Sequence, residues 1–206
     1  MEVHMKKILF AIGLLLLAAC SGGLKGRDID YRGNGSTVVA VAKPEWSDAT
    51  FATLKEADSN WAFGSCVGIY YDETKNQTYL ATAFHIIKGN VKYVKQTEGI
   101  GKLFRIVKEY SHPTKDIGFL VVDGRLPTIP VYKGIPSSDY DITLGYIEGR
   151  FNGKAPLVGK AVPGQSGGGV YSNTKGLYGV VSTTGEAVAI WSAIVDLKLD
   201  NVIRPN

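Results

Sequence analysis

Cysteine is scarce in this chain of 206 residues, where only Cys20 and Cys66 occur. Two thiols cannot build the multi-bridge framework on which small exported domains rely, so the fold must rest on a buried apolar core. Histidine is equally sparse. His4, His85 and His112 are the whole set, and none has a second histidine or a cysteine at ligand spacing, so neither a metal nor a cofactor is expected. No apolar run reaches the roughly 20 residues that a membrane-crossing helix requires. Charge of one sign is not gathered anywhere. The net +4 comes from 23 basic and 19 acidic residues dispersed along the chain, without the basic stripe that marks a nucleic-acid partner.

What the chain has in quantity is glycine, 25 residues, within a 45% hydrophobic composition. That is the make-up of a folded domain with many turns. Short apolar runs recur at 38–42, 67–71, 78–83, 91–94, 104–107, 117–122 and 128–131, then at 142–147, 170–171, 177–182 and 188–191. They are rich in Val, Ile, Thr and Tyr, are broken by Gly, Pro, Asn or Asp, and read as strands. With no helical period between them, they predict an antiparallel barrel or sandwich. One helix is expected at the end, over 194–203, where six apolar positions partly share a face. Cys66 lies within a strand-like run and reads as a small buried hydrophobe.

The beginning of the chain has a different character. Lys6 and Lys7 precede an apolar run over 8–19, and then comes Cys20. As a helix that run spans about 18 Å, short of a bilayer core of roughly 30 Å. A positive start, a short apolar middle and small residues at the end describe a signal peptide over residues 1–19. Residues 20–36, rich in Gly, Asp and Arg, read as a tether. One domain is then expected over 37–206.

Chemistry is concentrated in Gly164-Gln165-Ser166-Gly167-Gly168. Glycines on both sides let the backbone turn tightly, expose the hydroxyl and allow successive N–H groups to face one hole, as a tetrahedral oxyanion needs. The segment also fits the G-x-S-x-G elbow of α/β-hydrolases. There the acid and the histidine follow the serine, whereas no histidine follows Ser166. A serine needs a base to take its proton. His4 belongs to the signal peptide, and His112 reads as an exposed loop residue before Pro113. His85, between apolar neighbours at the end of a strand, is the expected base. The base needs a carboxylate to fix its tautomer. Asp116, at the head of the apolar run 117–122, is the candidate, and Asp123 at the other end reads as a turn residue.

In the order His85, Asp116, Ser166 the chain resembles the trypsin-like, chymotrypsin-fold serine peptidases, in particular their HtrA-type and glutamyl endopeptidase branches. Ala81-Thr82-Ala83-Phe84-His85 is similar to the family's histidine segment, Lys115-Asp116-Ile117-Gly118-Phe119-Leu120 to its aspartate strand, and Gly164 to Gly168 to its serine loop. Ser65-Cys66-Val67-Gly68-Ile69 resembles its opening strand. The resemblance implies an all-β fold of two six-stranded antiparallel barrels with a short C-terminal helix. It implies Ser166 as nucleophile, His85 as base and then acid, Asp116 as orienting carboxylate, and the N–H groups of Gly164 and Ser166 as oxyanion hole. A substrate strand would pair with Ser182, Thr183 and Thr184, and residues 160–163 would floor the specificity pocket. Lys160 or those hydroxyls would then favour an acidic or small polar side chain. Gln165, Phe84 and Gly169 depart from the family pattern, and activation by a newly cleaved N-terminus is not expected.

Leu17-Ala18-Ala19-Cys20 resembles the lipobox of bacterial lipoproteins, which implies a lipidated Cys20, export, and a membrane anchor, at the outer membrane or periplasm in the first place and at the cell surface as the alternative. The resemblance thus implies an anchored serine endopeptidase acting on protein or peptide. A protease-like lipoprotein that only binds peptide or protein, and an envelope lipoprotein of unrelated β fold, are the alternatives.

Overall fold

The computed structural model describes residues 29–33, 36–40, 43–59, 61–96, 102–136, 141–147, 150–154, 163–172 and 174–204. Within them β1 (Ile29–Gly33) and β2 (Ser36–Ala40) pair as a two-stranded ribbon separate from the other sheets. This pair crosses the boundary expected at residue 36, so part of the predicted tether is strand.

After α1 (Pro44–Asp48), the apolar runs of the first half become β3 (Thr50–Leu54), β4 (Gly64–Asp72), β5 (Gln77–Thr82), β6 (Tyr93–Lys95), β7 (Leu103–Ser111) and β8 (Gly118–Asp123). They close into a barrel in the order β3-β4-β5-β8-β7-β6. Local chemistry sets the turns. Between β4 and β5, the Asp72 carboxylate accepts the N–H groups of Thr74 and Lys75 at 3.0 and 3.1 Å, and Asn76 takes φ 51°. An aspartate that bonds its own turn and an asparagine that tolerates the left-handed region make this hairpin without glycine.

Strands β4, β5 and β8 are buried on both faces, and the two faces serve different cores. Cys66, Leu80, Leu120 and Val122 point into the barrel with Phe51 and Val94. Val67, Ile69, Tyr79, Ala81, Phe119 and Val121 point outward into a second core. That core is completed by the second half of the chain: Ile142, Leu144, Tyr171, Leu177 and Val180, with Ile190 and Ile194 of the last helix. Trp46 of α1 stacks on Tyr171 there, ring centroids 4.4 Å apart.

The second half differs from the six-stranded barrel expected. Among the described residues it is an open five-stranded sheet, β10-β9-β11-β12-β13, made of β9 (Asp141–Ile147), β10 (Arg150–Lys154), β11 (Gly169–Ser172), β12 (Gly176–Val181) and β13 (Ala187–Ala189). The expected strand over 128–131 does not form. Ile129 N–H donates to Gly68 and Tyr132 N–H to Leu177, so the segment bonds single residues of two sheets and builds no ladder. The last helix also shifts. It is α3 (Ile190–Asp196), and the run 188–191 read as a strand is split between β13 and its first turn. Ile190, Ala193 and Ile194 put the apolar face of α3 into the core between the halves, and Lys198 at φ 56° ends the helical path.

Candidate active site

The end of β5 sets the site. Beyond Thr82 and the extended Ala83 the chain enters α2 (Phe84–Lys88), so His85 sits in a five-residue helix and does not close a strand. Ile86 and Ile87 bury one face of α2 in the barrel, which leaves Phe84 and His85 half-buried on the other. The first N–H groups of a helix have no partner within it. That of His85 donates to Asp116 Oδ1 at 3.0 Å.

Asp116 lies in the connection between β7 and β8, and its carboxylate is the convergence point of three segments. His85 Nδ1 lies 3.0 and 2.9 Å from Oδ1 and Oδ2. Thr183 donates its N–H to Oδ2 at 2.9 Å and its hydroxyl at 3.3 Å. Burial pushes the Asp116 carboxyl up, but the N–H groups of His85 and Thr183 and the imidazole outweigh it and hold the group below its ordinary value of 3.8. An ionised carboxylate only accepts, so the hydrogen of a neutral His85 stands on Nδ1 and Nε2 carries the lone pair. His85 keeps 31% of its side chain exposed.

The Asp116 connection is built around a residue expected to be exposed. His112 is buried, at 4% exposure, and its Nδ1 accepts the N–H groups of Thr114 and Lys115 at 3.2 and 3.0 Å. A nitrogen that accepts two N–H groups carries no hydrogen, so Nε2–H donates to Asp196 at 3.2 Å. Lys115 Nζ reaches the same carboxylate at 2.6 Å. The connection is thereby stapled to the end of α3, and proximity to Pro113 was a poor guide to exposure.

Ser166 lies half-buried in the loop between β10 and β11. The loop is held from both halves: Ser166 C=O accepts the N–H of Ser65 in the barrel at 2.8 Å, and Gly167 N–H donates to Val181 of β12 at 2.8 Å. Gly167 has φ 81°, and a Cβ there would stand 2.1 Å from Ser65 O and 3.0 Å from Ala83 N. Only glycine fits so close, and the contact brings the serine loop to within two residues of His85 in sequence. Among the described residues no hydrogen bond joins the Ser166 hydroxyl to His85. Gly164 takes φ 95°. The N–H groups of Gly164 and Ser166 have no partner among the described residues.

Thr183 and its neighbours, expected to pair with a substrate strand, follow the end of β12. Ser182 to Gly185 form a tight turn between β12 and β13, with Gly185 N–H donating to Ser182 O at 3.1 Å and Ser182 N–H to Glu186 O at 2.9 Å. The Ser182 hydroxyl is spent on Thr184, 2.7 Å away. Thr183 serves Asp116, a link the sequence reading did not assign. The second missed residue is Ser65, whose tie to the serine loop was foreshadowed only by its place in a family-like opening strand. Cys20 and Lys160 lie outside the described residues. Burial pushes the Cys66 thiol far up, which leaves it unreactive at neutral pH. No group of three His, Cys, Asp or Glu side chains among the described residues is placed to hold a metal.

No protein-family model matches the chain, and no curated protein does. Solved structures do. The HtrA-type protease AlgW with a tripeptide is similar over 77% of this chain and 61% of its own, with 19% identity and TM-score 0.52. A serine endoprotease from Yersinia pestis is similar over 77% of this chain and 64% of its own, with 17% identity and TM-score 0.54. The MamO protease domain from Magnetospirillum magneticum is similar over 74% and 97% of the respective chains, with 14% identity and TM-score 0.54. The chain spans about three fifths of the length of the first two. At these identities the likeness is one of fold, and that fold is the one these serine proteases use.

Proposed function

We propose that this protein is a serine endopeptidase, with Ser166 as nucleophile, His85 as general base and then acid, and Asp116 as the carboxylate that orients His85. The observation that carries the reading is the Asp116 carboxylate itself. It meets His85 Nδ1 at 2.9 Å and Thr183 N–H at 2.9 Å, beside a serine loop whose Gly164 and Ser166 N–H groups have no partner among the described residues. In the reaction His85 Nε2 takes the Ser166 proton as Oγ attacks the scissile carbonyl. The oxyanion is received by the two N–H groups, and His85 returns the proton to the leaving amine. Water then releases the acyl group by the same steps in reverse roles. Asp116 stays ionised throughout and stabilises the imidazolium.

Substrate is a protein or peptide segment. The Thr183 carbonyl accepts no hydrogen bond among the described residues, so it is the available acceptor for a substrate N–H. Residues 1–19 act as an export signal, and a lipidated Cys20 anchors the domain to the membrane, at the outer membrane or periplasm. A second reading, a protease-like lipoprotein that binds peptide without cutting it, draws on the missing hydrogen bond between Ser166 and His85. Catalytic hydrogen bonds are often long before substrate arrives, and we favour the enzyme. A fluorophosphonate probe decides. Labelling of the folded protein that disappears in both Ser166→Ala and His85→Ala supports hydrolysis, and folded protein that takes up no label supports the binding reading.

A further inference from the structure

The peptide planes of the serine loop are held by their carbonyls. The Ser65 hydroxyl donates to Gly164 O at 2.9 Å, Gly168 N–H donates to Gln165 O at 2.9 Å, and Ser65 N–H donates to Ser166 O at 2.8 Å. In a trans peptide plane the N–H points away from the C=O. Fixing the Gln165 carbonyl inside the loop therefore turns the Ser166 N–H outward. The Gly164 carbonyl shares its plane with the Gln165 N–H and the Ser166 carbonyl with the Gly167 N–H, so the two Ser65 bonds fix the planes on either side of the one that carries the Ser166 N–H. Glycine at φ 95° has no side chain to resist a rotation of the neighbouring plane, so something else must hold it.

Ser65 is placed to be that holder. It is wholly buried at the head of β4, and every polar atom it owns is engaged. Its carbonyl accepts the Thr82 hydroxyl at 2.7 Å, and its own hydroxyl oxygen accepts Tyr146 N–H at 2.6 Å while donating to Gly164. One residue thus ties the histidine strand, through Thr82, and β9, through Tyr146, to both ends of the Gly164–Ser166 segment. The space for its hydroxyl is left by Gly145, where a Cβ would stand 2.9 Å from Ser65 Oγ.

We propose that Ser65 is a positioning residue for the anion hole, its hydroxyl and N–H holding the loop so that the Gly164 and Ser166 N–H groups face the reacting carbonyl. The inference rests on the hydrolase reading above. Its test is the rate at which a fluorophosphonate labels the full chain, measured for the native protein, Ser65→Ala and Ser65→Thr. Losing one oxyanion donor outright costs roughly 10²–10³-fold in rate. Loosening the loop while Ser65 N–H still grips Ser166 should cost less, about 10- to 100-fold by the same scale. The labelled endpoint stays complete, because the nucleophile is intact, and the pH–rate profile keeps its native shape, because the His85–Asp116 pair is untouched. Ser65→Thr restores the hydroxyl and most of the rate. Should Ser65→Ala lose its fold by circular dichroism, Ser65→Cys carries the same expectation, since a thiol fills the hydroxyl's place and is only a weak donor. A labelled native protein with Ser65→Ala within about twofold of it overturns this inference alone. So does a loss that appears in the endpoint and leaves the rate unchanged. A native protein that takes no label overturns the hydrolase reading and this inference together.

Discussion

Replacing Asp116 by asparagine is the sharpest test of the proposed dyad, because the carboxylate has more partners than an amide can serve. Its two oxygens meet His85 N–H, His85 Nδ1, Thr183 N–H and the Thr183 hydroxyl, at 2.9 to 3.3 Å. An amide offers one oxygen and one NH₂. If the oxygen keeps the His85 N–H, the NH₂ faces Thr183 N–H, donor against donor. If it keeps Thr183, the NH₂ faces His85 N–H. Either way one backbone N–H loses its acceptor, which costs about 1–3 kcal/mol when the group is buried. The site is partly open, so about 1 kcal/mol is expected, or a Tm lower by roughly 2–4 °C for a chain of this size. The kinetic effect is far larger. With an NH₂ beside it, His85 Nδ1 becomes the acceptor and the hydrogen moves to Nε2, where the lone pair is needed. In the serine-protease triad the same change of tautomer lowers kcat about 10⁴-fold. The assay is the labelling rate with a fluorophosphonate, alongside Tm by differential scanning fluorimetry. Asp123→Asn is the control, since among the described residues its carboxylate bonds just the half-buried Gln77 amide, and it should leave the rate unchanged. An Asp116→Asn protein that keeps a tenth or more of the native rate would refute the role given to this carboxylate.

Gly167→Ala puts a Cβ 2.1 Å from Ser65 O at φ 81°, so the serine loop must leave the barrel. Labelling should fall at least about 100-fold, the scale of a misplaced catalytic group, and labelling kinetics read it directly. Acid should weaken the fold through three carboxyls. The Lys75 ammonium holds Asp72 low and Lys115 holds Asp196 low, while at Asp116 burial is outweighed by its hydrogen bonds. A depressed folded value stabilises above the ordinary carboxylate value and loses that contribution as pH falls through the depressed one. Scanning calorimetry should therefore show a Tm nearly constant from about pH 7 to 5 and falling below about pH 4. A Tm that rises on acidification would contradict these assignments. For the anchor, radiolabelled palmitate supplied to a bacterial host should enter the native protein and not Cys20→Ser, and equal incorporation in the two would remove the lipoprotein reading.

The strands of the first half were legible because their sequences do two things at once. Strand β8, Gly118-Phe119-Leu120-Val121-Val122-Asp123, is apolar without alternation, since Phe119 and Val121 face one core and Leu120 and Val122 the other. Such runs announce a strand but conceal which side faces what. Short helices were hidden for the opposite reason. The five residues of α2 hold no helical period, and Phe84-His85-Ile86-Ile87 has the composition of a strand. Only packing makes it a helix, by burying Ile86 and Ile87 beneath the end of β5. His112 was misjudged because polar neighbours suggest a surface loop, whereas the imidazole replaces a turn's own hydrogen bonds and is buried by doing so. The run 128–131 has strand composition and finds no strand to pair with. Composition reports what a segment can bury, and pairing depends on partners distant in sequence.

Those distant partners also decide how the site is assembled. Asp116 belongs to the barrel and Thr183 to the second sheet, yet they are hydrogen-bonded at 2.9 Å. Ser65 belongs to the barrel and grips Gly164 and Ser166 of the second half at 2.9 and 2.8 Å. Each bond crosses between halves whose main contact is the apolar core of Ile69, Phe119, Val121, Leu144, Tyr171 and Ile194. A hydrogen bond between such groups is worth only about 0.5–1.5 kcal/mol net, too little to draw two halves together. Each fully buried side chain of this core contributes about 1.5–3 kcal/mol. Docking is therefore driven by the core, and the polar contacts of the site fix its geometry once docking has occurred. His85 and Asp116 share one half, and the second half steadies their pair through Thr183 N–H and the Lys115–Asp196 contact. The serine loop meets the barrel at Ser65 only when the halves dock, which makes it the part of the candidate site most sensitive to the packing beneath it.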